Sequence, residues 1–80
     1  MNRMFPLQEV FRQVFDDDGL VVTPATSRRD LADWDSVAHV KIILSLEEEF
    51  AIRFTEDEVS SIQTVGELLD AVESHKSRNQ

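Results

Sequence analysis

Cysteine and tyrosine are absent from this 80-residue chain, and glycine and proline occur only twice each. Without cysteine there is no disulfide to staple a small core, no thiolate metal ligand and no sulfur nucleophile, so any thiol chemistry has to be imported. Such scarcity of glycine and proline, beside 41% hydrophobic residues, excludes a linker, collagen-like or disordered composition. No apolar run exceeds three residues, as in Leu20–Val22 and Ile42–Leu44, whereas a membrane span needs about 20. Met1–Pro6 has neither the continuous apolar segment nor the small-residue cleavage site of a secretory signal, which makes the cytoplasm the default compartment. Positive charge is also scarce. Eight bases against 16 acids give a net charge of −8, which argues against nucleic-acid phosphates and anionic membranes and favours basic protein partners. A chain of this length supports one core. We expect a single monomeric domain over residues 1–74, with the hydrophobe-free residues 75–80 as a flexible tail.

What is present is mostly helical periodicity. Leu7, Val10, Phe11, Val14 and Phe15 follow the i, i+3, i+4, i+7, i+8 spacing of one buried helix face, with Pro6 suited to the first turn and Asp16-Asp17-Asp18-Gly19 to the end. A calcium loop does not fit the triple acid: with Gly19 at the sixth position, Val14 and Ala25 fall where an EF-hand requires carboxylates. Residues 20–34 lack a period and read as a long connection with a short turn. A second helix opens at Asp35-Ser36 and runs to about Glu49. It carries more hydrophobe than one face needs: Ile42, Ile43, Leu46 and Phe50 form the inner row, and Val37, Val40 and Leu44 a second row that either stays partly exposed or joins the core, which periodicity alone does not decide. Phe50–Phe54 alternates as an extended connector. Capping boxes at Thr55–Glu58 and Thr64–Glu67 then start a short third helix, ending near Ser61, and a full helix with Val65, Leu68, Leu69 and Val72 inward. The fold class expected is all-α: a small four-helix bundle of three long helices and one short one.

Catalytic constellations are lacking. His39 stands one turn after Ser36, a spacing that does not align a hydroxyl with an imidazole for acyl transfer, and His75 falls in the tail. The carboxylates are too numerous for adjacency to signify a catalytic or metal-binding pair. This leaves Asp33-Trp34-Asp35-Ser36-Val37 at the mouth of the second helix, where Asp and Ser serve as ordinary caps.

That motif, the Leu46-Glu47-Glu48-Glu49-Phe50 helix end, the short acidic third helix and the Thr64-Val65 start of the last helix together resemble the acyl carrier protein family, from Phe5 to Val72. In that family the motif is Asp-Ser-Leu. The resemblance implies a carrier that is no enzyme. Its serine, here Ser36, takes a 4′-phosphopantetheine arm from coenzyme A through a phosphopantetheinyl transferase that brings magnesium. Acyl or aminoacyl groups then ride as thioesters to loading and condensing enzymes of fatty-acid, polyketide or related biosynthesis. A phosphodiester at Ser36 sits well at a helix N-terminus, where the amides and the helix dipole favour negative charge. Asp35 orients the transferase or its metal, or simply caps the helix.

Recognition is expected to centre on Val37, Val40 and Leu44, ringed by Asp33, Asp35, Glu47 and Glu48, with Glu56 and Asp57 as a second acidic contact. Trp34 either packs on the bundle end or anchors a partner. Fatty-acid carriers usually have acids where this chain has Ala38 and Lys41, a small residue in place of Trp34 and leucine in place of Val37. The motif therefore looks more like discrete carriers of specialised pathways. Ile43, Leu46, Ile62 and Leu68 could line a cargo site, although core packing accounts for them. Composition alone is equally compatible with an unmodified acidic module that binds a basic partner.

Overall fold

Four helices carry the chain in a computed structural model that describes residues 3–78: α1 (Met4–Val14), α2 (Ser36–Phe50), α3 (Glu56–Ser61) and α4 (Val65–Arg78). No strand occurs among the described residues, and the bundle is the all-α one that the periodicity predicts. None of the helices is long and apolar enough to cross a membrane. Leu7, Val10 and Phe11 of α1, Ile42, Ile43 and Leu46 of α2 and Val65 and Leu68 of α4 share one buried core, and Val72 of α4 is buried as well. Ile43, Leu46, Ile62 and Leu68 all belong to this packed core.

α1 ends where Asp16 turns left-handed, with φ of 51°. The amide of Asp17 returns to the Arg12 carbonyl (3.0 Å) and that of Asp16 to Gln13 (3.3 Å), which is the Schellman pattern. Asp16, rather than Gly19, thus takes the terminating conformation. α2 closes in the same way on Ala51 (φ 55°), and the Ile52 amide reaches the Glu47 carbonyl at 3.1 Å. The helix therefore includes Phe50, and the extended connector is confined to Ile52–Thr55, with Ile52 buried and Phe54 half-buried.

The long connection is irregular but well tied. Arg12 Nε donates to the Leu20 carbonyl at 2.8 Å, and the Val22 amide donates to Gln8 at 3.1 Å. Ser27 and Thr64 form an isolated antiparallel bridge. The first amides of α4, Val65 and Gly66, donate to the carbonyls of Thr26 (2.8 Å) and Pro24 (2.9 Å). The loop thereby satisfies donors that a helix start leaves unpaired. A Cβ on residue 66 would lie 2.9 Å from the Pro24 oxygen, so glycine is what permits this approach. Both capping boxes form, at Thr55–Glu58 and Thr64–Glu67.

The expectation of a loose tail from residue 75 is corrected. α4 continues to Arg78; His75 pairs with Glu58 of α3 at 2.9 Å, and Lys76 donates to the Phe50 carbonyl at 3.2 Å. Absence of hydrophobes did not fray the helix because polar contacts hold it. Residues 79 and 80 of that expected tail lie outside the described residues.

Candidate functional site

Ser36 is the first residue of α2 and is exposed. Asp35 caps the helix from an extended conformation: its carboxylate accepts from the Ala38 amide at 2.9 Å, and its carbonyl accepts from His39 at 2.8 Å. The cap uses the third amide of the helix, and among the described residues the amides of Ser36 and Val37 find no protein acceptor. An exposed hydroxyl thus stands beside two unpaired N–H groups at the positive end of a 15-residue helix. This is a setting that favours an anion. Of the two roles expected for Asp35, capping is the one visible in its contacts, and its side chain is still solvent-exposed.

Of the two readings of the second apolar row, the exposed one holds: Val37 is 64% exposed, Val40 51% and Leu44 57%. Asp33 and Glu48 are exposed beside it, as are Glu56 and Asp57 on the first turn of α3. Ser36, the apolar row and Glu48 are thus all exposed along α2, with Asp33 and Asp35 exposed just before it.

Of the two places expected for Trp34, on the bundle end or against a partner, the structure shows the first. Trp34 is not a surface anchor, being only 3% exposed. Its ring stands edge-on to Phe11 with centroids 5.1 Å apart, and its Nε1–H donates to Nδ1 of His39 at 3.1 Å. Burying the large ring against α1 while pairing its one polar atom is the favoured disposal of an indole. Glu47 is half-buried, and its carboxylate accepts from the Phe54 amide at 2.9 Å. It secures the connector after α2 while lining an open cleft with Leu44 and Glu48.

His39 is the residue that periodicity missed. It is 5% exposed, and its Nε2 lies 2.8 Å from the Val59 carbonyl. Trp34 can only donate and the carbonyl can only accept, so the ring proton is on Nε2. The imidazole therefore ties the residues just before Ser36 to the end of α3, where a carbonyl would otherwise lack an intrahelical donor. A polar residue at a buried α2 position was the only signal available in the sequence. At the other side of α3, burial pushes the Glu58 carboxyl up, but the Thr55 amide and the His75 side chain outweigh this and hold it below the usual carboxylate range.

The chain matches the family model described as "Phosphopantetheine attachment site" over residues 6–72. The chain belongs to the acyl carrier protein family. It is 33% identical over 66 residues to an acyl carrier protein of Acidothermus cellulolyticus, covering 82% of this chain and 79% of that one. With one from Rubrobacter xylanophilus it is 34% identical over 71 residues, covering 89% and 88%. Among solved structures, the solution structure of a holo acyl carrier protein from Geobacter metallireducens superposes with a TM-score of 0.89 at 40% identity, covering 99% of this chain and 91% of that one. The crystal structure of an acyl carrier protein from Thermotoga maritima, 23% identical over 96% and 89% of the two chains with a TM-score of 0.84, shares the fold. Membership makes this chain a carrier rather than a catalyst, with 4′-phosphopantetheine as its prosthetic group and a phosphopantetheinyl transferase among its partners.

Proposed function

We propose that Ser36 is the attachment point of the 4′-phosphopantetheine arm and that this carrier serves a specialised assembly route, polyketide, aminoacyl or modified lipid, as a cytoplasmic monomer. The observation that carries the reading is the exposed Ser36 hydroxyl at the start of α2, beside the unpaired amides of Ser36 and Val37. During modification the Ser36 oxygen attacks the β-phosphorus of coenzyme A; the new P–O bond replaces the one to the nucleotide bisphosphate, and the hydroxyl proton leaves to base. Once attached, the arm supplies the thiol that this cysteine-free chain lacks, and an acyl or aminoacyl group is held there as a thioester. The N-terminus of α2 stabilises the phosphodiester charge, while Asp35 keeps the helix start rigid under it.

Docking uses Val37, Val40 and Leu44 as its apolar centre, with Asp33, Asp35, Glu48, Glu56 and Asp57 as an acidic rim. Transferase, loading and condensing enzymes with basic docking surfaces complement it. The departures at Trp34, Val37, Ala38 and Lys41 support the specialised route over fatty-acid synthesis. Incubation with a fluorescent coenzyme A, magnesium and a broad-specificity transferase should label the wild type and leave Ser36→Ala dark. Equal labelling of both would place the arm elsewhere, and no labelling of either would leave an unmodified binding module.

A further inference from the structure

Lys41 is out of keeping with the surface around it. At about 100° per residue, position 41 lies some 40° around α2 from Val37, on the same stripe as Leu44 and Glu48. Lys41 is exposed. With Asp33 and Asp35 it borders a shallow cleft floored by Val14, Phe15 and Ala38, yet it forms no ion pair among the described residues. Arg28, Arg29 and Arg53 likewise form no ion pair among the described residues, but none of them stands on α2 beside the exposed apolar row. A free ammonium thus sits at the edge of the apolar row, one turn along the helix from both Val37 and Leu44, on a protein of net charge −8.

A partner seated over Val37 and Leu44 meets Lys41, their neighbour one turn along the helix. Facing a wholly basic surface, the ammonium would lose water and meet like charge, both unfavourable. We propose that Lys41 is a specificity-determining residue: it disfavours partners whose docking face is uniformly basic and selects a partner that sets a carboxylate opposite it, inside a basic rim. This rests on the docking surface proposed above. The discrimination is of the repulsive kind, in which an unpaired charge excludes the wrong partner.

The test measures phosphopantetheinylation of the full chain by a broad-specificity transferase with a uniformly basic docking face, using coenzyme A and magnesium. Wild type, Lys41→Met and Lys41→Glu are compared after circular dichroism has shown the same helicity. Lys41→Glu is expected to lower KM by about tenfold and Lys41→Met by less, with kcat unchanged and the gap narrowing as salt rises. A second arm replaces a cation at the centre of the transferase's docking face with glutamate, and the order should reverse, wild type becoming the better substrate. Equal KM values for the three proteins, or an order that does not change with the altered transferase, overturn the role of Lys41 while leaving modification of Ser36 standing. Absence of modification in every protein overturns both.

Discussion

Replacing His39 by leucine should unseat α3. The imidazole makes a buried hydrogen bond to the Trp34 indole at 3.1 Å and a partly buried one to the Val59 carbonyl at 2.8 Å. Leucine fills similar space but leaves one buried donor and one carbonyl without partners, each costing about 1–3 kcal/mol. Some relaxation toward water is open to the carbonyl at the end of α3, so we expect a loss of about 2–4 kcal/mol in total. That is a large part of the roughly 4–12 kcal/mol expected for 80 residues, and it corresponds to a fall in Tm on the order of 10–25 °C. Urea denaturation followed by circular dichroism gives the energy. Native-state hydrogen exchange locates it: the Val59 and Ile62 amides, bonded to the carbonyls of Thr55 and Glu58, should lose protection first, because a six-residue helix has little stability of its own. His39→Gln, able to accept and donate, should recover part of the loss. A cost below about 0.5 kcal/mol for His39→Leu, within the range of surface substitutions, would refute the reasoning.

Further outcomes follow from single contacts. Asp35→Ala removes the cap on Ala38 and should cost about 1 kcal/mol, read from denaturation midpoints; Asp35→Asn, which still caps, should keep stability, so a lower modification rate in this stable variant would assign the charge a role in the transferase complex. Glu58 has a carboxyl held below its ordinary value, so its contribution is present above the unfolded value and fades as pH falls through the folded one. Glu58→Gln should therefore flatten the acid limb of stability against pH, while an unchanged limb would exclude this pair as a contributor. Ala51 holds a left-handed conformation at φ 55°, which costs a non-glycine residue about 1–2 kcal/mol; Ala51→Gly should raise stability by about 0.5–1 kcal/mol once the greater freedom of the unfolded chain is deducted. A decrease would show that the turn is not strained.

The helices were legible because their signals are local. Phe11 and Leu7 announce α1 by spacing, two threonine–glutamate pairs mark the starts of α3 and α4, and the surplus row on α2 remains exposed because one buried face already fills so small a core. Contacts made across the fold were not legible. Trp34 and His39 are five positions apart, and nothing in either residue specifies that one accepts the other's proton while touching α3. Glu47 reads as one of three equivalent acids until the chain turns at Ala51 and brings the Phe54 amide to its carboxylate. His75 reads as part of a loose end because its partner, Glu58, lies 17 residues away. In the candidate site, the position of Ser36 and its cap could be read from the cap preferences of Asp and Ser. The burial of Trp34 required the packing of α1.

Intact-protein and tandem mass spectrometry after reaction with coenzyme A, magnesium and a broad-specificity transferase address the carrier assignment most directly. One phosphopantetheine per chain, localised to Ser36 and lost in Ser36→Ala, is the expected result. A chain whose mass does not change, or whose added group maps to another residue, would contradict it.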